Sequence, residues 1–279
     1  IVPYIREQRC GLFIGAGLSR MAGCYDWNSI VKEMLGHTLI KSKGIEAKDL
    51  LGNARNEELI EYCQRLFTEG NGEHQFWGIA RKAITFNPGL FDKRYLPLIK
   101  DLKQIQPTPK VVLTTNIDNC LEHSSEFDLS KVYFKVSDFT EEKLNGSGIF
   151  HIHGYIEEFE KSLLTRNKYI PRYNEIKFQN FLKGFFRRCS VLFLGYSLRD
   201  QEIKDIILET KDNRKKHFLL LPEEDGLSTS EINLYHDMYG ITTVVYGKRD
   251  EFANIFAGWI DKNFRVTSLK ANEVDRPDA

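Results

Sequence analysis

A chain of 279 residues, 42% hydrophobic and 28% charged, has the makeup of a globular protein long enough to bury a substantial core. Lysine plus arginine and aspartate plus glutamate both number 39, so net charge argues for neither a nucleic-acid surface nor an acidic tail. The cysteines, Cys10, Cys24, Cys63, Cys120 and Cys189, form no CxxC pair, a pattern that fits reduced cytoplasmic thiols better than a disulfide framework or a zinc site.

Near the start, the apolar run Leu12-Phe13-Ile14 stops at Gly15-Ala16-Gly17-Leu18-Ser19, which predicts a buried strand turning tightly into a helix near Ser19. Gly15 and Gly17 let the backbone approach a ligand, and the free N–H groups of a helix start suit a phosphate. A tight turn with no ligand is the alternative. Arg20 stands where the dinucleotide fingerprint wants a third glycine, against an ordinary dehydrogenase. The loop through Asp26 and Trp27 leads to a helix carrying Ile30, Val31, Met34 and Leu35, with Asn28 or Ser29 as its cap.

Residues 36–109 read as a helical insertion, with charged helices at 57–67, 75–85 and 92–103. A β-branched run at 111–115 then ends at Asn116-Ile117-Asp118, followed by strands at 132–136 and 149–153, the latter closed by Gly154. A helix at 174–188 precedes the strand 191–194, which ends at Gly195-Tyr196-Ser197, with a helix at 199–208 behind it. Strands at 217–221 and 241–246 and helices at 228–238 and 251–261 complete the alternation. The fold class is therefore α/β: a Rossmann-like parallel sheet with helices on both faces, its core at 1–35 and 110–263, with ligands outside the carboxyl ends of the strands. Residues 264–279 read as a linker or tail. No apolar run could span a bilayer and no signal peptide is visible.

Several polar residues have two readings. Asn116 could cap the helix after it, and Ser197 with Asp200 fits a capping box. His151 and His153 alternate along one strand, which as plain structure means one core and one solvated histidine; no carboxylate or cysteine cluster at ligand spacing accompanies them as a metal pair.

Taken together, Gly15-Ala16-Gly17-Leu18-Ser19, Gly23-Cys24-Tyr25-Asp26-Trp27, Thr114-Thr115-Asn116-Ile117-Asp118, His153-Gly154 and Gly195-Tyr196-Ser197 resemble, in order, the motifs of the sirtuin superfamily. Protein-deacylating sirtuins carry a zinc ribbon of two CxxC pairs after the His-Gly, whereas no cysteine lies between His153 and Cys189 here. Thr115 and Asn28 also replace the family's Gln and Arg. The chain thus looks closer to the zinc-less sirtuin-like effector domains of bacterial antiphage systems, in which NAD is destroyed.

That resemblance implies an NAD+ hydrolase, with NAD as substrate and no zinc. It makes Asn116, which would position the ribose or attacking water, and His153, the general base, catalytic. It places Gly15, Ala16, Gly17, Ser19, Asp26, Trp27, Asp118, Gly195 and Ser197 around the cofactor, with Asp118 on the nicotinamide carboxamide and Trp27 excluding water. Glu223 and Glu224 follow a strand where sirtuins hold the adenosine ribose. His151 is structural. The expected partners are further copies of the chain and a regulatory protein or neighbouring domain, not a membrane or nucleic acid. A module that senses NAD or ADP-ribose without turnover is the alternative, and a protein deacylase comes third.

Overall fold

The computed structural model describes residues 1–265 except 8–9, 46–49, 52–53, 106–109, 125–130 and 213–215. Its centre is a parallel sheet of seven strands: β1 (Cys10–Ile14), β2 (Val111–Thr114), β3 (Val132–Tyr133), β4 (Gly148–His151), β5 (Ser190–Leu194), β6 (His217–Pro222) and β7 (Ile241–Tyr246), in the order β3-β4-β2-β1-β5-β6-β7. All pairings are parallel, as the unbroken apolar strands require when both faces are covered.

Alternation along the strands builds two cores. Phe13, Leu113, Phe150 and Phe193 point into one, while Leu12, Ile14, Val112, Leu192 and Leu194 point into the other, following the period of two. A third apolar cluster lies among the helices between β1 and β2. These include α1 (Ala16–Ser19), α2 (Trp27–Leu35), α3 (Asn56–Glu69), α4 (Glu73–Ala83) and α5 (Leu96–Lys103). Ile30, Val31, Met34, Ile60, Phe67 and Phe76 bury their apolar faces there, with Phe159 and Leu164 from beyond β4 closing the cluster.

The chain runs from β1 outward to β2 on one side, and returns to β5 on the other. This reversal makes the carboxyl ends of β1 and β5 the switch point, where an open α/β sheet leaves a crevice. Several local readings change. The helix after the glycine turn begins at Ala16, not near Ser19. The cap of α2 is Asp26, whose carboxylate accepts from the Ser29 amide at 2.8 Å, rather than Asn28 or Ser29. Strand β4 ends at His151, so His153 sits in the turn beyond it. The helix expected at 174–188 is α8 (Ile176–Arg188), and a helix the sequence reading did not expect, α7 (Arg166–Asn174), stands before it, after the short α6 (Cys120–His123); α7 and α8 are separated at Glu175, whose backbone is extended. Helices α9 (Gln201–Glu209), α10 (Thr229–Tyr239) and α11 (Phe252–Ile260) follow. Of the expected tail, 266–279 lie outside the described residues.

Candidate functional site

The exits of β1 and β5 meet backbone to backbone. The Gly15 amide donates to the Leu194 carbonyl at 2.9 Å and the Gly17 amide to the Gly195 carbonyl at 2.8 Å. A Cβ on Gly15 or Gly17 would stand 2.5 or 2.7 Å from the Gly195 oxygen, and Gly195 itself is left-handed at φ +62°. Glycine is thus required here by strand-to-strand approach. The Gly17 amide is spent on that contact and the Leu18 amide on Gly15, so the short α1 offers fewer free donors to an anion than the turn suggests in sequence.

Behind the turn lies a buried polar floor. The Asn116 amide donates from Nδ2 to Ser19 Oγ at 2.8 Å, and the Ser19 hydroxyl donates to Asp118 Oδ1 at 3.1 Å. That carboxylate also accepts from the Cys120 amide at 3.0 Å, and burial pushes its pKa up against these bonds. Asn116 Oδ1 is buried with no partner. The cap of α6 is Asn119, so Asn116 is not spent as a cap. One ring nitrogen of His151 lies 2.7 Å from the Asn116 carbonyl and the other 2.7 Å from Glu122 Oε1. Two acceptors call for two N–H donors, hence an imidazolium. Burial opposes that charge, but Glu122, Asn116 and Asp118 raise the pKa above 6.5.

His153 differs. The loop after it folds back, with the Leu163 amide donating to the His153 carbonyl at 2.7 Å. Gly154 turns at φ +107°, where a Cβ would strike Ser162, so the His-Gly pair has a steric basis. Trp27, Tyr169 and Tyr173 present rings edge-on to the imidazole. Its Nε2 lies 2.8 Å from the Tyr173 hydroxyl, and its Nδ1 is buried without a partner. Burial first, then Arg172, lower its pKa to about 3; this ring is neutral at physiological pH, with a free lone pair but only a weak hold on a proton while the site is as it stands.

A cavity of about 440 Å³ opens at this edge, within the usual range for small-molecule sites. Of the residues singled out in the sequence, Ala16, Gly17, Asp26, Trp27, His153, Gly195 and Ser197 line it, with Glu224 at its far end; Gly15, Ser19, Asn116, Asp118 and Glu223 do not. Asn116 and Asp118 adjoin it through Thr115, which is on the wall. Asp26 is engaged as the α2 cap and with Arg20 at 2.7 Å; burial would raise its pKa, but Ser29 and Arg20 hold it below the usual carboxylate range.

Sequence reasoning gave Tyr169, Tyr173, Tyr196 and Asp200 no part in the site's polar network. Asp200 precedes α9 without a side-chain cap bond, so the capping-box reading fails. Its carboxylate instead accepts from Tyr169 at 3.2 Å and from Tyr196. The i,i+4 spacing of Tyr169 with Tyr173 and of Tyr196 with Asp200 was the available signal. Cys24, Asp118 and Cys120 bring possible ligand atoms within 4.8 Å of one another, all three buried; the hydrogen bond with Cys24, then burial, raises the pKa of the Cys120 thiol. No helix among the described residues is long and apolar enough to cross a membrane.

Residues 110–244 match the family model of the SIR2-like domain, in keeping with the sirtuin resemblance of the motifs. The curated relatives include the NAD(+) hydrolase ThsA of Cytobacillus dafuensis, 27% identical over 243 residues, covering 80% of this chain and 45% of the relative. The protein of that name from Enterococcus faecium is 21% identical over 229 residues, covering 78% and 44%. That of Bacillus cereus (strain MSX-D12) is 20% identical over 234 residues, covering 79% and 44%. The chain thus spans under half the length of the curated relatives it matches. A solved structure from "Structural Basis for the Mechanism and Regulation of Sir2 Enzymes" aligns over 94% of this chain and 95% of its own at 12% identity and a TM-score of 0.47, too distant a likeness to carry an argument.

Proposed function

We propose that this chain is an NAD+ hydrolase domain that cleaves the nicotinamide–ribose bond to give nicotinamide and ADP-ribose. The observation that carries the reading is His153: neutral, buried, on the cavity wall, with an unpartnered Nδ1. Cleavage passes through an oxocarbenium-like ribose, and the incoming water must lose a proton. His153 takes it. Asn116, whose Nδ2 is fixed by Ser19 and whose Oδ1 is uncommitted, orients the water or a ribose hydroxyl. Trp27 shields the reacting carbon, Ala16, Gly17, Gly195 and Ser197 face the phosphates and adenosine ribose, and Gly15, Ser19 and Asp118, which stand behind the cavity wall, hold the turn and Asn116 in place, with Asp118 on the nicotinamide side.

The named activity of the curated relatives supports this reading. Residues 1–263 act as one sirtuin-like unit, the helices of 36–109 covering the cavity as an insertion. The setting is a cytoplasmic antiphage effector, restrained until self-assembly or a regulatory partner releases it. Incubating the purified chain with NAD and following nicotinamide release tests the reading. His153→Ala and Asn116→Ala should each lower the rate on the order of a hundredfold to ten-thousandfold with the fold retained, and no zinc or acetyl-peptide should be needed. Variants that cleave at the wild-type rate would overturn the residue roles. A wild type that binds NAD without cleaving it, alone or assembled, would favour a sensing module.

A further inference from the structure

Beneath the polar floor, two cysteines that no motif pairs meet side by side. Cys24 Sγ and Cys120 Sγ lie 3.8 Å apart, although 96 positions separate them in the chain. Asp118 brings a carboxylate oxygen to the same spot, so that the three ligand atoms lie within 4.8 Å of one another, all of them buried. Each is delivered by a pinned backbone. The Cys24 amide donates to the Ser19 carbonyl at 3.1 Å and the Tyr25 amide to the Ala83 carbonyl at 2.8 Å, while Asp118 Oδ1 accepts from the Cys120 amide at 3.0 Å. Tyr95, wholly buried, packs in the same cluster as both cysteines, and its hydroxyl has no partner among the described residues. Burial first, then the charges of Cys120, Asp118, Glu122 and Cys24, push the pKa of that phenol up.

Zn–S bonds of about 2.3 Å meeting at a tetrahedral angle set two sulfurs about 3.8 Å apart, the separation seen here. Simple contact between two thiols gives a similar spacing, but it accounts for neither the converging carboxylate nor the unpartnered phenol. Two thiolates with a carboxylate select a thiophilic divalent ion over Mg2+ or Ca2+. Three protein ligands leave the fourth position to a water, the kind of neighbour that the Tyr95 hydroxyl lacks. We propose that Cys24, Asp118 and Cys120 form a zinc site, and that zinc bound there restrains the floor of the cavity rather than serving the reaction.

As each Zn–S bond forms, its thiol proton leaves for solvent, so one Zn2+ and two thiols give the dithiolate complex and two protons. The Asp118 charge, which burial disfavours, gains a cation beside it. Asp118 Oδ1 accepts from the Ser19 hydroxyl at 3.1 Å, and Ser19 Oγ accepts from Asn116 Nδ2 at 2.8 Å. An ion that draws on Asp118 therefore acts on Asn116 two hydrogen bonds away, and zinc is an inhibitor here, not a cofactor. That effect on turnover rests on the hydrolase reading; the binding does not.

The test uses the full chain, reduced with a phosphine and freed of metal. Co2+ is added to the folded chain and, in parallel, during refolding from urea, so that burial does not hide the site. One equivalent should bind with the strong visible bands of a tetrahedral ion and with sulfur-to-cobalt charge-transfer absorption in the near ultraviolet; Zn2+ should then bleach both. Cys24→Ser and Cys120→Ser should each lose charge-transfer intensity and weaken Zn2+ binding by more than the roughly hundredfold that an outer-shell change costs. Cys63→Ser and Cys189→Ser, which lie in other clusters, should match the wild type. Cobalt taken up without charge-transfer absorption, or not at all, overturns the site, and this wild-type result decides even where a variant fails to fold. Equal binding by the Cys24 and Cys120 variants overturns it as well. In turnover, Zn2+ should lower nicotinamide release by the wild type severalfold, whereas Cys24→Ser should release it at one rate with and without the ion. Zinc bound with wild-type turnover unchanged overturns the restraint and leaves the site. A wild type that releases no nicotinamide even without metal removes the hydrolase, and the restraint with it, while the cobalt spectrum still decides the site.

Discussion

His151 and His153 stand two residues apart at the exit of β4, at 1% and 2% exposure, and the fold drives them in opposite directions. Around His151 every polar neighbour is an acceptor, the Asn116 carbonyl on one side and Glu122 on the other, and the ring is held as a cation. Around His153 the neighbours are aromatic edges and a phenol, with Arg172 adding like charge, and the ring is held neutral. Burial disfavours the charged form of both. The partner therefore decides, and it assigns work: the cation ties down the Asn116 backbone, while the neutral ring can accept a proton.

The largest consequence is a stability profile with two opposed limbs. His153 has a folded pKa of about 3, below its ordinary 6.5. Between those values the unfolded chain binds a proton that the fold refuses, so its contribution is present above 6.5 and is lost as pH falls, by up to roughly 5 kcal/mol. The folded pKa of His151 is raised, so its contribution is complete below 6.5 and is lost as pH rises through the folded value. Urea unfolding of the wild type, His153→Gln and His151→Gln across pH 4–9 separates the two. The His153 variant should shed the acid limb and the His151 variant the alkaline one; parallel profiles for all three would dissolve the contrast.

Next in size is Glu122→Gln. It keeps the shape but removes the charge that His151 faces at 2.7 Å, leaving a buried cation without its partner or forcing it neutral. Breaking such a pair costs about 3–5 kcal/mol. The loss should appear in denaturant unfolding at pH 6, and the alkaline limb should vanish with it. Nicotinamide release should also fall, because the Asn116 backbone loses its anchor; a variant unfolding with the wild type at both pH 6 and pH 9 would make the pair incidental.

Most of the scaffold behind this contrast was legible in the sequence. The runs at β1, β2 and β5 ended where glycine or polar residues said they would, since continuous apolar strands have few other uses. The glycine turns were visible too, but their reason was not: Gly15 and Gly17 answer to the Gly195 carbonyl, a neighbour distant in sequence. Likewise, alternation suggested one buried and one solvated histidine, because spacing reports a face and not what covers it. Glu122 and Tyr173 cover these rings from α6 and α7, and no local pattern announces either. Asp200 looked like a cap because its sequence neighbours allow one; Tyr169 and Tyr196 recruited it instead.

A smaller effect is expected from Arg172→Gln. The guanidinium sits over Phe139 and Phe178, 5.4 and 5.5 Å from the ring centroids, and lowers the His153 pKa. Losing both contacts should cost about 1 kcal/mol at neutral pH. More tellingly, the His153 pKa should rise, moving the acid limb to higher pH. NMR titration of the imidazole gives that value directly, and an unmoved pKa would leave burial as its sole cause.

The smallest expected effect belongs to Arg55, which bridges from the start of α3 to Glu202 on α9 at 2.8 Å and to Glu57 at 3.6 Å. The arginine and Glu202 side chains are 40% and 25% exposed, so Arg55→Ala should cost less than about 1 kcal/mol in urea unfolding. Its reach into the site is larger than its stability. Glu202 acts to raise the His153 pKa, and Arg55 offsets that carboxylate; without it the imidazole should titrate higher. Asn56 and Glu57, beside Arg55, line the cavity, so KM for NAD should rise severalfold while kcat changes little at pH 7.5, where His153 stays neutral either way. Raising salt screens the wild-type pair, so the KM values of the two proteins should converge near 1 M NaCl. A gap that persists at high salt would mean that Arg55 acts by packing its stem rather than by charge.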